Sequence, residues 1–201
     1  MSYGPHDVEL VLVRLESPAE EVRALQALLS FAERERAQRF FFERHRRRYI
    51  VARAQLRKLL GARLGIAPQA VELVYGRNGK PRLKDDRVRF SVSHCGEVAL
   101  LAFSRACDVG VDIEAMRPIR SVDTIAAHIL SRREMRAYAA ARDKVLAFLR
   151  FWTRKEALAK GIGDGLAISP AKLEPSRAPG WRVRSFFPLP GFIAAVASQR
   201  G

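Results

Sequence analysis

The sequence predicts an α+β protein built from two similar subdomains, residues 1–105 and 106–201. Each half reads as helices packed on a small antiparallel sheet. The order of elements in the first half recurs in the second, with a join near Ser104–Asp108, although no sequence repeat accompanies it. The 201 residues, 48% of them hydrophobic, suffice for one large domain or two small ones with a real core.

Val8–Leu15 alternates loosely and predicts the first strand. Pro18 opens a helix reaching about Leu29, with Ser17 as its expected cap. Further helices are expected over Ala32–Phe42 and Arg46–Leu64. In the latter, Ile50, Ala54, Leu56, Leu60 and Leu64 form an apolar stripe, with Arg46, Arg47, Arg53 and Arg57 on other faces. "GIAP" ends that helix. Val71–Tyr75 reads as a strand, "GRNGKP" as a turn, and Val88–Ser93, "VALLAFS" and "DVGVDIE" as an antiparallel set. In the second half, Ser121–Leu130 and Ser131–Ala141 are expected helices, each with a serine cap, followed by a helix over Val145–Lys160. Strands are expected near Ala171–Glu174, Trp181–Phe186 and Phe192–Ala197.

A formal net charge of +15 calls for an anionic partner, unless it reflects only an arginine-rich proteome. The N-terminus lacks the pattern of a signal peptide, and no window approaches the roughly 20 apolar residues of a membrane span. Cys95 and Cys107 have no metal-ligand or redox spacing, which suits a cytoplasmic protein.

Within "CDVGVDIEAM", Asp112 and Glu114 are two apart on an apolar strand and so share a face. Two carboxylates there require a positive partner, either a metal ion or arginines. In "FWTRKEALAKGIGDGL", Glu156 and Lys160 share a helical face, with Trp152 one turn earlier. A Glu–Lys pair alone would be an ordinary surface pair, but a tryptophan on the charged face argues for a site. Asp112, Glu114 and Glu156 together would suit Mg²⁺, with Lys160 neutralising a bound phosphate. Lys80 in "GKP" and Ser93-His94 at a strand end are weaker signals, readable as a hairpin and a satisfied polar strand end.

Taken in order, "GKP" (Gly79–Pro81), "SVSHCG" (Ser91–Gly96), "GVDIE" (Gly110–Glu114) and "FWTRKEALAKGIGDGL" (Phe151–Leu166) resemble the Sfp-type 4′-phosphopantetheinyl transferases of the holo-acyl-carrier-protein synthase superfamily. The arginine-rich Phe41–Gly61 resembles the helix that precedes these motifs in many members. The resemblance implies a pseudo-twofold pair of α+β subdomains in a monomeric chain, with coenzyme A in the cleft between them. It implies transfer of 4′-phosphopantetheine from coenzyme A to a serine of an acidic apo carrier protein (acyl, peptidyl or aryl), releasing 3′,5′-ADP. Carried over, Asp112, Glu114 and Glu156 hold Mg²⁺ (or Mn²⁺), and Lys160 contacts the attacked phosphate or its neighbour. Lys80, Ser93 and His94, assisted by Arg44 and Arg48, hold the 3′-phosphoadenosine end. Glu156, directly or through water, is the candidate base, and Asp112 and Lys160 complete the catalytic set. The chain departs from the pattern at Ser91, often asparagine, at Cys95, and at Glu33, where some members carry a lysine for the 3′-phosphate and Arg34 or Arg36 would compensate.

Two other classes compete. A basic nucleic-acid-binding protein or Mg²⁺-dependent nuclease would use the same charge and carboxylates. Against it, "RHRRRYIVARAQLR" has only Tyr49 as a stacking group. An inactive carrier-binding homologue would not need all three carboxylates and Lys160.

Overall fold

The computed structural model describes residues 2–3, 8–76, 79–163 and 169–200. The first half runs β1 (Ser2–Tyr3), β2 (Val8–Arg14), α1 (Ala19–Gln26), α2 (Phe31–Gln38), α3 (Glu43–Leu64), β3 (Leu73–Tyr75), β4 (Pro81–Leu83), β5 (Arg89–Cys95) and β6 (Val98–Ser104). The second runs β7 (Val109–Ala115), α4 (Val122–Ile129), α5 (Arg132–Ala139), α6 (Lys144–Ile162), β8 (Trp181–Phe186) and β9 (Phe192–Gln199). A short 3₁₀ turn follows each long helix, at Pro68–Ala70 and Pro170–Lys172.

The repetition seen in element order holds in three dimensions. One sheet has the order β1-β2-β6-β5 and another β7-β9-β8, all pairs antiparallel. In both, a strand leads into three helices, and two later strands return with the last in the middle. The β3–β4 hairpin is an addition to the first half.

The correspondence extends to buried charge. Ser30 and Ser131 each open a helix with a capping box, accepting from the backbone N–H of Glu33 and Glu134. Both glutamates then receive a cation from the long helix of their half. Arg57 Nε lies 2.6 Å from Glu33 Oε2 and its Nη1 donates to the carbonyls of Pro68 and Val71. Lys155 Nζ lies 2.7 Å from Glu134 Oε2 and donates to the carbonyls of Pro170 and Leu173. Each cation thus ties together two helices and the 3₁₀ turn that leads back to the sheet. With Lys155 1% exposed, its loss leaves the Glu134 carboxylate stranded out of water, whereas Glu33 without Arg57 would keep Arg53 at 3.5 Å. Lys155→Ala is therefore expected to cost about 3–5 kcal/mol in urea unfolding. An unchanged midpoint would show that Glu134 regains water.

Several local expectations are corrected. Arg57 lies inside, because the Glu33 cap supplies a partner that helical periodicity does not reveal. Ser17 does not cap α1: Pro18 holds that position without a side-chain hydrogen bond. Ser121 sits at φ 54° and caps nothing, whereas Ser131 caps as expected. Ala171–Glu174 is not a strand: Pro170 starts a 3₁₀ turn, and Lys155 holds the carbonyls of Pro170 and Leu173. Arg77–Asn78 of the expected turn lie outside the described residues, but Gly76 N–H donates to Lys80 O at its neck.

An apolar layer joins the halves. Val8 and Leu10 of β2, Val98, Leu100 and Ala102 of β6, Val109, Val111 and Ile113 of β7, and Ala194 and Val196 of β9 form one buried cluster. The strands β5 and β7 run beside each other at this seam and bring the motif residues together.

Candidate active site

The site begins with two glycines. An added Cβ at Gly110 would stand 1.9 Å from Ala157 O and 2.4 Å from Gly161 N, and one at Gly161 would stand 2.6 Å from the Trp181 ring. The β7 and α6 backbones therefore touch at this crossing, which places the face of β7 that carries Asp112 and Glu114 against the stripe of α6 that carries Trp152, Glu156 and Lys160.

Asp112 is buried, and its positive partner in this structure is Lys160. Lys160 Nζ donates to Asp112 Oδ1 at 2.7 Å and to Ser93 Oγ at 2.9 Å, while Ser93 Oγ donates to the same Oδ1 at 2.8 Å. Asp112 Oδ2 is buried without a hydrogen-bond partner among the described residues. Glu114 takes Trp152 Nε1–H on Oε1 at 3.3 Å and the Cys95 thiol on Oε2 at 3.5 Å. Trp152 itself stacks on Phe148. The tryptophan on the charged stripe thus serves the carboxylate of the facing strand.

Glu156 stands half-buried, one turn before Lys160. Burial pushes its proton affinity up, the Asp112 charge adds to this, Lys160 opposes it and Glu114 adds again. Glu114 is raised in the same way, first by burial and then by Asp112. The three carboxylates thus sense one another, yet no group of three or more His, Cys, Asp or Glu side chains among the described residues is already gathered as a metal site.

The residues expected at the donor's other end separate into two groups. Arg44, Arg48, His94, Gly79, Pro81 and Arg117 share a cavity of about 570 Å³. Arg44 is exposed there, and Arg48 is paired with Glu16. The local surroundings, then the nearby Lys160 charge, lower the His94 pKa below its usual value. Lys80 lies elsewhere: it shares a smaller cavity of about 210 Å³ with Lys160, and its ammonium reaches Gly161 O at 3.3 Å. Its own pKa is lowered by burial. Ser93 lines neither cavity and points to the opposite face of β5 from His94, as neighbours on a strand must.

The departures noted in the sequence also find explanations. Glu33 is committed to Arg57 and Arg53. Arg34 donates to Leu29 O, so Arg36, which lines the same cavity as Arg44 and lies over the Tyr49 ring at 5.7 Å, is the cation available there. Ser91 Oγ accepts from Val111 N–H at 3.1 Å, and Cys95 Sγ accepts from Ala115 N–H at 3.3 Å. Sequence reasoning missed both as seam residues, although Ser91, Ser93 and Cys95 form a period-two polar row that could have shown it.

Comparison with known proteins finds relatives for both halves of the chain. Residues 16–106 match the family model "4′-phosphopantetheinyl transferase, N-terminal", and residues 108–198 match "4′-phosphopantetheinyl transferase superfamily". The chain is 35% identical to 4′-phosphopantetheinyl transferase HetI of Nostoc sp. over 95% of its own length and 87% of HetI. It is 30% identical to the rat L-aminoadipate-semialdehyde dehydrogenase-phosphopantetheinyl transferase over 80% of this chain and 56% of that protein. It is 38% identical to 4′-phosphopantetheinyl transferase AcpT of Salmonella typhimurium over 46% of this chain and 50% of AcpT. Matched in both halves and aligned with one relative along nearly its whole length, the chain belongs to the 4′-phosphopantetheinyl transferases, the enzymes that place phosphopantetheine on carrier proteins.

Proposed function

We propose that the donor is coenzyme A, that a divalent cation assists, and that the acceptor is a serine of an acidic apo carrier protein. The observation that supports this most is the group of Asp112, Glu114, Glu156 and Lys160 at the seam, beside an arginine-lined cavity. The carboxylates fit a hard cation: Asp112 offers an unpartnered buried oxygen, and Glu114 and Glu156 hold charge that burial and each other disfavour. Asp112, Glu114 and Glu156 would hold Mg²⁺ (or Mn²⁺), which supplies charge neutralisation for a pyrophosphate.

The protein's own groups do the rest. Lys160 turns its ammonium from Asp112 towards the phosphate under attack, and Lys80, sharing a cavity with it, meets the same end of the donor. Arg44, Arg48 and His94 hold the 3′-phosphoadenosine end. The serine oxygen bonds to phosphorus as the bond to 3′,5′-ADP breaks, and the serine proton passes to Glu156, directly or through a water. The charge of +15 steers an acidic carrier to the surface. The proposed setting is a monomer in the cytoplasm. No helix among the described residues is long and apolar enough to cross a membrane.

The test is the intact mass of apo acyl, peptidyl and aryl carriers after incubation with the protein, coenzyme A and Mg²⁺, with and without chelator. A chelator-sensitive gain of one phosphopantetheine supports the reading, and no gain on any carrier sinks it. Arg44→Ala is expected to raise the KM for coenzyme A roughly 5- to 20-fold, the worth of one charge-assisted phosphate contact, with kcat little changed. An unchanged KM in steady-state assays would remove Arg44 from the site.

A further inference from the structure

The strands β5 and β7 belong to separate sheets, and side chains stitch them together. Ser91 Oγ accepts from Val111 N–H at 3.1 Å, and Cys95 Sγ accepts from Ala115 N–H at 3.3 Å. The two contacts lie four residues apart on each strand, so β5 and β7 run in the same direction here. Beyond this shared stitch the two residues differ. Cys95 also donates its thiol to Glu114 Oε2 at 3.5 Å.

Glu114 is therefore held at both oxygens, from two different elements. Trp152 Nε1–H of α6 reaches Oε1 at 3.3 Å, and that indole is fixed by stacking on Phe148. The Cys95 thiol of β5 reaches Oε2, and its sulfur is fixed in turn by Ala115 N–H. Each donor is itself anchored, so the carboxylate has a set orientation. Both donors are also neutral, whereas Asp112 Oδ1 takes the Lys160 ammonium. A carboxylate has about four acceptor positions, so two neutral donors orient Glu114 and leave both its charge and free lone pairs. A thiol is a weak donor in water. Cys95, however, is half-buried and packs on the apolar seam cluster, and Glu114 is half-buried too. A hydrogen bond to a charged group gains strength in such surroundings.

We infer that Cys95 is a positioning residue for Glu114: its thiol fixes the orientation of the carboxylate while leaving the charge to a divalent cation. This rests on the cation reading above. It gives the departure from the family pattern at position 95 a task.

The first test needs neither cation nor carrier. The infrared S–H stretch of Cys95 is read as the difference between a protein and its Cys95→Ser counterpart. It is expected below the frequency of a thiol without an acceptor, and to rise when Glu114→Ala removes the carboxylate. A band that Glu114→Ala leaves in place would overturn the inference. The second test titrates the protein with Mn²⁺, followed by electron paramagnetic resonance. Cys95→Ala is expected to weaken Mn²⁺ binding roughly 10-fold, as loss of a partner of a metal-holding carboxylate does. Cys95→Ser, which keeps a donor and an acceptor, is expected to restore most of the affinity. Ser91→Ala is the control: it removes a seam stitch of the same kind, and should lower the urea midpoint without changing Mn²⁺ affinity. In the carrier assay, Cys95→Ala should raise the Mg²⁺ concentration for half-maximal rate by the same factor as the Mn²⁺ Kd. Unchanged Mn²⁺ affinity in Cys95→Ala would overturn the inference. So would equal losses in Cys95→Ala and Ser91→Ala, which mean a loosened seam, or a Cys95→Ser protein as weak as Cys95→Ala. If wild type takes up no Mn²⁺, the cation reading falls, while the S–H band still decides whether the thiol holds Glu114.

Discussion

Glu156→Gln is expected to lower carrier modification by a factor of about 10²–10⁴, the usual worth of a general acid–base group, while raising the melting temperature of the ligand-free protein. The two effects share one cause. In the ligand-free fold the Glu156 carboxylate is raised in proton affinity by burial and by Asp112, more than Lys160 offsets. An acid whose folded pKa lies above its unfolded one binds protons more tightly when folded, so its ionisation works against the fold. The glutamine side chain would keep the shape and remove the charge. At this chain length each kcal/mol relieved is worth about 2–4 °C, and a rise of roughly that size is expected by calorimetry at pH 7.

The same linkage fixes a pH signature. Glu114 and Glu156, both raised, lose their penalty as pH falls from neutrality through their folded pKa values towards 4.5, their ordinary value. Compared with Glu156→Gln combined with Glu114→Gln, the ligand-free protein should therefore gain stability on mild acidification, while His94, whose pKa is lowered from 6.5, acts oppositely in the same window but equally in both proteins. Asp85 and Glu174, whose pKa values are lowered, act oppositely, but only nearer their own ordinary values of 3.8 and 4.5. A Glu156→Gln protein with unchanged Tm and full activity would remove Glu156 from both roles.

Gly110→Ala is the second large effect expected, and it acts through the backbone. The added methyl would overlap Ala157 O and Gly161 N, atoms fixed by the α6 hydrogen-bond ladder. Neither is the end of a flexible side chain, so β7 and α6 must move apart. Such overpacking costs about 1–3 kcal/mol when side chains can yield, and more is expected here. Separation of the two elements would also pull Asp112 away from Lys160, so transfer should fall even in the fraction that folds. Urea unfolding and a carrier assay at matched folded concentration check the two parts independently. A Gly110→Ala protein with the wild-type unfolding midpoint would show that the crossing has slack. Gly161→Ala overlaps the Trp181 ring, with Gly110 N at an ordinary 3.5 Å, and should cost less.

The sequence by itself determined much of this protein. Apolar periodicity placed the long helices and the seam strands, because burying one face is a local constraint on residue spacing. The D-x-E pair and the Glu156–Lys160 pair had to share faces, since strand and helix periods allow nothing else. The motif order was enough to identify the family resemblance. The tertiary structure decided which groups meet. Arg57 and Lys155 look like surface cations until a capping glutamate from another helix is brought to them. Ser93 and His94 are adjacent in sequence but serve opposite faces of one strand. Lys80 and Arg44 share a charge type but line different cavities. The expected strand at Ala171–Glu174 gave way to a 3₁₀ turn, with a buried ammonium holding the carbonyls of Pro170 just before it and Leu173 within it. In each case the deciding partner is distant along the chain, and a charge buried at long range is invisible to any local pattern.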